Sequence, residues 1–336
     1  MSPQKICIVG AGAIGGLIGA RLAHYGGHHV SALARGETLR ALREHGWQLR
    51  EPGGSLMQAP VTAADDASAL GGPQDVIVIA VKATALAEVA RKLAPLMGPD
   101  TLILPAMNGV PWWFCTQVPG WDLAAPLRSV DPDGSIGHAM PTAQVLGCVV
   151  HASAAQAAPG LVQHVMGQGL IIGEPRGGLS DRAERMALML REARFEVSVS
   201  PNIRKDIWYK LWGNLTMNPL SAVTGATVDR LLDDPLLRRF CAEAMRETAE
   251  VGRAIGCDID QTAEDRFAIT RKLGAFKTSM LQDAEAGRPL ELDAIVTAVA
   301  EIGARLGIAT PSIDTLLGIT RVFGQTRGLY PRSSAV

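Results

Sequence analysis

The chain has little of what would mark it for nucleic acid or a membrane. Its 32 Lys+Arg are matched by 33 Asp+Glu, a formal net charge of −1, so no global field draws it to a polyanion or an anionic lipid surface. Aromatic residues make up only 4% of it, too few for a platform on which single strands stack. No apolar run approaches the ~20 residues needed to cross a bilayer. The apolar start is broken by glycines and does not read as a secretory signal. Cysteines at 7, 115, 148, 241 and 257 are odd in number, widely spaced and form no C-x-x-C. They speak against a disulfide framework or a zinc cluster and read as buried free thiols in a reducing, cytoplasmic setting. No metal is expected.

What is present is an ordinary globular composition, 47% hydrophobic and 19% charged. At roughly 150 residues per domain, 336 residues suggest two domains. Lys5–Val9 is a short apolar run that reads as a buried parallel strand. Gly10-Ala11-Gly12-Ala13-Ile14-Gly15 follows at once, then a helix over 17–25 and a second strand over 30–34. A strand at 75–81, a helix over 85–94 stopped by Pro95, and a strand at 102–104 continue the alternation. Strand candidates at 145–150, 161–165, 170–172 and 196–199, with a helix over 182–194, complete the first domain. After Pro201 the periodicity is helical, with long segments at 206–217, 234–255, 263–286 and 292–306. The expected fold is an α/β Rossmann-type N-terminal domain, residues 1–200, plus an all-α C-terminal domain, residues 201–336. The last residues, 331–336, are expected to fray.

The G-x-G-x-x-G has the context that gives it meaning: strand before, helix after, second strand on schedule. Gly10 permits the tight turn, Gly12 lets a pyrophosphate approach the backbone, and Gly15 lets the helix pack on the strand. The helix N-terminus then offers free N–H groups to the phosphates. At the end of the second strand, where an NAD site carries an acidic residue, stands Arg35. Its guanidinium suits a 2′-phosphate, which favours NADP (NADPH) over NAD. Glu37, two residues on, keeps a ribose contact open.

Lys210, Asn214 and Asn218 recur at i, i+4 and i+8 in an apolar segment rich in Trp and Leu, one stripe of a helix. Hydride delivery to a ketone makes an alkoxide, and a partly desolvated lysine could protonate it. Ser279 and Asp283 share a face, Gly287-Arg288-Pro289 breaks their helix, and Glu291 opens the next. Asn108-Gly109 and Lys82 follow strands at the carboxyl edge of the sheet, where this architecture binds ligands. On pattern alone a surface lysine, an ordinary turn and a dipole-complementing glutamate explain these residues as well.

Together the segments GAGAIG at 10–15, VKA at 81–83, NG at 108–109, KLWGNLTMNPL at 210–220 and SMLQDAEAGRPLELD at 279–293 resemble the ketopantoate reductase (2-dehydropantoate 2-reductase) family over nearly the whole chain. The resemblance implies NADPH-dependent reduction of a 2-oxo acid, 2-dehydropantoate to pantoate, in a Rossmann-type plus helical fold. It implies Lys210 as general acid, Glu291 as catalytic acidic residue, and Asn214, Asn218 and Ser279 on the substrate. It also implies Asn108 on substrate and cofactor, Lys82 beside the nicotinamide, and Arg35 on the 2′-phosphate. Met107 stands where the family has Gln, Trp112-Trp113-Phe114 follow where smaller residues are expected, and 118–145 is long. These departures point to a bulkier 2-oxo acid as an alternative substrate. An imine, as in opine-type enzymes, and a non-catalytic NADP-binding sensor are the remaining alternatives. No nucleic-acid or membrane partner is expected. The apolar helices after 200 suit a homodimer interface or an intramolecular core equally.

Overall fold

The computed structural model describes residues 3–122 and 125–331; residues 332–336 of the expected frayed tail lie outside them. The chain separates into two compact units, Met1–Asn108 with Asp133–Asp206, and Gly109–Pro132 with Ile207–Val336. The division thus falls inside a helix at 206 rather than at 200, and an excursion at 109–132 joins the second unit.

In the first unit β1 (Lys5–Val9) leads into α1 (Ala13–Tyr25), β2 (His29–Leu33) and α2 (Gly36–His45). Three short strands follow, β3 (Trp47–Arg50), β4 (Leu56–Ala59) and β5 (Thr62–Ala64), then β6 (Val76–Ile79), α3 (Ala83–Ala90) and β7 (Leu102–Pro105). A parallel sheet takes the order β5-β2-β1-β6-β7, with Val9 opposite Leu33 on one side and Ile79 on the other. Ile6, Cys7, Ile8 and Val9 are buried, as are all four residues of β6, which is why both strands read as unbroken apolar runs. The strand order reverses at β1, and a crevice opens there beyond the carboxyl ends.

A second sheet was not foreseen. After α4 (Ser135–Ala139), β8 (Gly147–Ala158) and β9 (Leu161–Gly173) form a long hairpin, and α5 (Asp181–Glu192) leads to β10 (Glu196–Ser200). The order is β10-β9-β3-β4, with β8 on β9. The outer half of the hairpin is rich in exposed or half-exposed Ala, Gly and Gln, so outside 161–165 hydropathy registers only its buried inner half. α1 lies between the sheets, its Gly19 close to Trp47 of β3 and Ile8 of β1.

A buried charge cluster ties these layers. Arg21 of α1, 4% exposed, donates through Nε and Nη2 to Glu51 at 3.0–3.1 Å and through Nη1 to the Arg194 carbonyl at 3.1 Å. His164 of β9 places Nδ1 2.8 Å from Glu51 Oε2 and Nε2 2.6 Å from the Gly167 carbonyl. Burial would raise the Glu51 carboxyl, but the bonds from Arg21 and His164 override it and hold it below its ordinary value.

The second unit is helical. α6 (Ile203–Thr224) spans Pro219 and is followed by α7 (Val228–Asp233), α8 (Pro235–Ala254), α9 (Ala263–Arg271) and α10 (Ser279–Glu285). A π-helical turn at Asp293–Thr297 runs on into α11 (Ala298–Leu306), and α12 (Pro311–Thr326) ends the fold. The single helix expected over 263–286 is two, because Thr278 caps a new one by accepting from the Leu281 N–H. Trp208 and Trp212, one turn apart on α6, donate their indole N–H groups to the Thr248 and Met245 carbonyls of α8. Phe114 stacks on Trp208 with centroids 5.7 Å apart. Trp112, Trp113 and Phe114 are all buried. The aromatic cluster is therefore core packing of this unit, which removes the sequence-based ground for reading it as a substrate wall. No helix among the described residues is long and apolar enough to cross a membrane.

All five cysteines are free and buried. Burial pushes Cys7 up to about 11 and Cys241 up to about 12, so neither is a ready thiolate.

Candidate active site

The glycine turn follows β1 directly. The Gly10 N–H donates to the Leu33 carbonyl at 3.0 Å, which fixes the turn against β2. Gly12 is the N-cap of α1 and no side chain caps it, so the first N–H groups of the helix are left for a ligand. A Cβ on Gly12 would meet nothing within 4 Å, whereas one on Gly15 would stand 2.0 Å from the Gly10 carbonyl oxygen. One glycine keeps an approach open and the other closes the helix onto the turn, the division of labour a pyrophosphate cradle needs.

A cavity of about 180 Å³ opens here, lined by Gly10, Ala11 and Gly12, by Arg35 and Thr38 from the start of α2, and by Glu88 and Lys92. Ala13, Ile14 and Gly15 form the first turn of α1 behind it. Arg35 is the N-cap of α2, again with no capping side chain. It donates to Glu88 Oε1 at 2.9 Å. Glu37, the alternative ribose partner, is instead paired with Arg40 at i,i+3 and does not line the cavity. Lys82 is the half-buried N-cap residue of α3, and Asn108 lies just beyond β7. The Ala80 and Ala106 N–H groups extend the ladder past β6 and β7, so both residues leave the sheet at its carboxyl edge. Lys82 is not among the cavity's lining residues; its neighbour Val81 is.

The second unit carries the other candidates. Lys210 and Asn214 are half-buried and Asn218 is 4% exposed, in a row on α6. The indoles of Trp208 and Trp212 hold the adjoining face to α8, which fixes the rotation of the helix. Ser221 continues the same row. Its hydroxyl bonds the Asn218 carbonyl at 2.9 Å and lies 2.5 Å from Thr278 Oγ1. Ser221 and Thr278 are both buried, and Ser279 is the next residue, exposed at the first position of α10. One hydroxyl pair thus brings the start of α10 beside the Asn218 end of the row. Asp283, on the same helix, accepts from Arg288 Nε at 2.9 Å and closes the turn that leads to half-buried Glu291. Three residues on, the Ala294 carbonyl accepts from the Val110 N–H at 2.8 Å.

Sequence reasoning missed Ser221 and Thr278, because a serine inside a helix and a threonine before one carry no signal until they meet. It also missed Glu88 and Lys92, whose i,i+4 spacing on an amphipathic segment reads as an ordinary solvated pair.

A doubly wound sheet with an open glycine cradle, joined to a helical unit bearing an amine and amides in line, defines an oxidoreductase of the dinucleotide-binding class. The ketopantoate reductase PanE/ApbA family matches residues 6–177, and its C-terminal family matches residues 202–323. A 2-dehydropantoate 2-reductase of Mesorhizobium japonicum is 40% identical over 327 residues, covering 97% of this chain and 100% of its own length. A crystal structure of a ketopantoate reductase-type protein from Ralstonia solanacearum is similar with a TM-score of 0.93 at 53% identity, covering 98% and 100%. A PanE/ApbA family structure from Ralstonia eutropha has a TM-score of 0.82 at 25% identity, covering 97% and 100%. The chain belongs to the ketopantoate reductase family.

Proposed function

We propose that this chain reduces a small 2-oxo acid, 2-dehydropantoate to pantoate, using NADPH, in the reducing cytoplasm where five buried free thiols persist. The observation that carries the reading is the Lys210–Asn214–Asn218 row joined through Ser221 and Thr278 to the helix that begins with Ser279. A 2-oxo acid needs donors for its carboxylate and a proton for its carbonyl oxygen, and this group offers both.

The cofactor, when bound, supplies the hydride. The open backbone at Gly12 and the free end of α1 receive its pyrophosphate, with Ala11, Ala13, Ile14 and Gly15 shaping the turn. Arg35 and the free end of α2 receive its 2′-phosphate. Lys82 and Asn108 stand at the same sheet edge to orient the nicotinamide end. Lys210 delivers a proton from Nζ to the substrate oxygen as negative charge develops there. The side-chain amides of Asn214 and Asn218 and the Ser279 hydroxyl hold the substrate, and Glu291 positions the amine or the product hydroxyl. The exposed apolar pair Ile319 and Val322 on α12 is a candidate homodimer contact, to be tested by sedimentation at rising concentration.

The test is NADPH oxidation followed by absorbance, with 2-dehydropantoate beside larger 2-oxo acids and beside 2-oxo acids plus amines. Turnover fastest with 2-dehydropantoate supports the reading. Faster turnover with a bulkier acid or an imine moves the substrate assignment, and binding of NADPH with no turnover on any of them overturns it.

A further inference from the structure

The cation expected on a 2′-phosphate is already engaged. Arg35 Nη1 donates to Glu88 Oε1 at 2.9 Å, and Lys92 Nζ donates to the same oxygen at 2.8 Å. Two cations, one at the N-cap of α2 and one just beyond α3, therefore converge on one carboxylate oxygen at the mouth of the nucleotide cavity. The hydrogen bonds from Lys92 and from Arg35 keep the Glu88 carboxyl below its ordinary value. These side chains are 61%, 46% and 55% exposed for Arg35, Glu88 and Lys92. Water competes for such pairs, so they are weakly held and exchange partners readily. Asp65, beyond β5, is the other carboxylate on the cavity wall. Against these two anions stand the two cations and the uncapped N-terminus of the ten-residue helix α2.

We propose that Lys92 is a second 2′-phosphate cation beside Arg35, and that Glu88 is a stand-in anion that the phosphate displaces and that sets how strongly NADPH is preferred over NADH. The proposal rests on the reading that this cavity takes NADPH with Arg35 at its 2′-phosphate. With the phosphate absent, Glu88 holds both cations apart at the distance one anion oxygen requires. A phosphate, with more charge and three acceptor oxygens, takes both cations, and the carboxylate swings toward solvent. With NADH there is no phosphate to displace it, and Glu88 is placed to accept from a ribose hydroxyl. The carboxylate thus opposes the phosphorylated cofactor and favours the plain one.

The experiment is calorimetric titration of the full-length protein with 2′,5′-ADP and with 5′-AMP, and with NADP+ and NAD+, for wild type, Arg35→Ala, Lys92→Met and Glu88→Gln, each checked by thermal melting. Lys92→Met is expected to weaken 2′,5′-ADP roughly tenfold or more and to leave 5′-AMP nearly unchanged. Glu88→Gln is expected to tighten 2′,5′-ADP and weaken NAD+. Equal effects of Lys92→Met on both nucleotides, or an unchanged NADP+/NAD+ ratio in Glu88→Gln, overturn the proposal. Arg35→Ala separates the two levels. If it weakens both nucleotides equally, the reading of the cavity itself fails. If it is selective for 2′,5′-ADP while the other two variants are not, only the roles of Lys92 and Glu88 fall.

Discussion

Gly109 lies so close to Ala294 that a Cβ built on it would stand 2.5 Å from the Ala294 carbonyl oxygen and 2.7 Å from its carbonyl carbon. Both obstacles are main chain and cannot swing aside. The glycine also has φ +83°, which an L side chain resists. Its neighbour Val110 donates to that same carbonyl, within the π-helical turn at Asp293–Thr297 that begins two residues after Glu291. Gly109→Ala is expected to destabilise the protein by about 1–3 kcal/mol and to lower kcat/KM by up to about 10², because displacing the turn displaces Glu291. Thermal melts and steady-state kinetics check both. A stable variant with unchanged kinetics would separate this turn from the active site.

Lys210→Ala is expected to lower kcat by about 10²–10⁴, the range of a positioned proton donor. The packing of α6 on α8 runs through Trp208 and Trp212, and thermal melts of the variant separate a lost proton donor from a destabilised helix. Single-turnover kinetics with NADPH and substrate separate the chemical step from binding. A variant with near-normal turnover would remove the lysine from the mechanism.

Much of the sheet was legible because parallel strands buried on both faces leave an apolar signature, as in Lys5–Val9 and β6. The lysine row was legible because a helix repeats its face at i, i+4 and i+8. The second sheet was not, because β3 and β4 are each four residues long and the outer half of the β8–β9 hairpin is rich in exposed or half-exposed Ala, Gly and Gln. The roles of Trp112, Trp113 and Phe114 were misread for a different reason. Sequence neighbourhood with Asn108 places them near the sheet edge, but the chain crosses into the second unit at Gly109, where all three are buried and Phe114 stacks on Trp208. Pairings across long sequence distance, such as Ser221 with Thr278 or Arg35 with Glu88, have no local pattern to betray them.

The Ser221–Thr278 pair makes a coupling prediction. Each hydroxyl is buried and each is the other's partner at 2.5 Å. Ser221→Ala or Thr278→Val alone leaves one buried hydroxyl short of a partner, at a cost of about 1–3 kcal/mol. Thr278→Val also removes the cap of α10, so it should cost more. The double variant should cost less than the sum of the singles, since the hydrogen bond between the two hydroxyls is lost only once. Denaturant titrations of the cycle measure this, and additive losses would show that the two hydroxyls act independently. The same variants should raise KM for the 2-oxo acid more than they lower kcat, if the pair serves to place Ser279.

The Arg21–Glu51–His164 cluster predicts how stability depends on pH. The Glu51 carboxyl is held below its ordinary value in the folded state, burial opposing and the bonds from Arg21 and His164 prevailing. A carboxyl with a depressed folded value binds its proton more readily in the unfolded chain. Its contribution is therefore fully present above the ordinary carboxylate value and is lost as pH falls toward the depressed one. Denaturation midpoints measured downward from neutrality should decline through the acid range, and Glu51→Gln should flatten part of that decline. Glu51→Gln should also be destabilised near neutrality by about 3–5 kcal/mol, because it leaves the Arg21 guanidinium, 4% exposed, without its counter-charge. Arg21→Met together with Glu51→Leu removes both charges and should recover much of that loss. A double variant no more stable than Glu51→Gln would mean that the Arg194 carbonyl and His164, which both lose a partner in it, outweigh the charge pair.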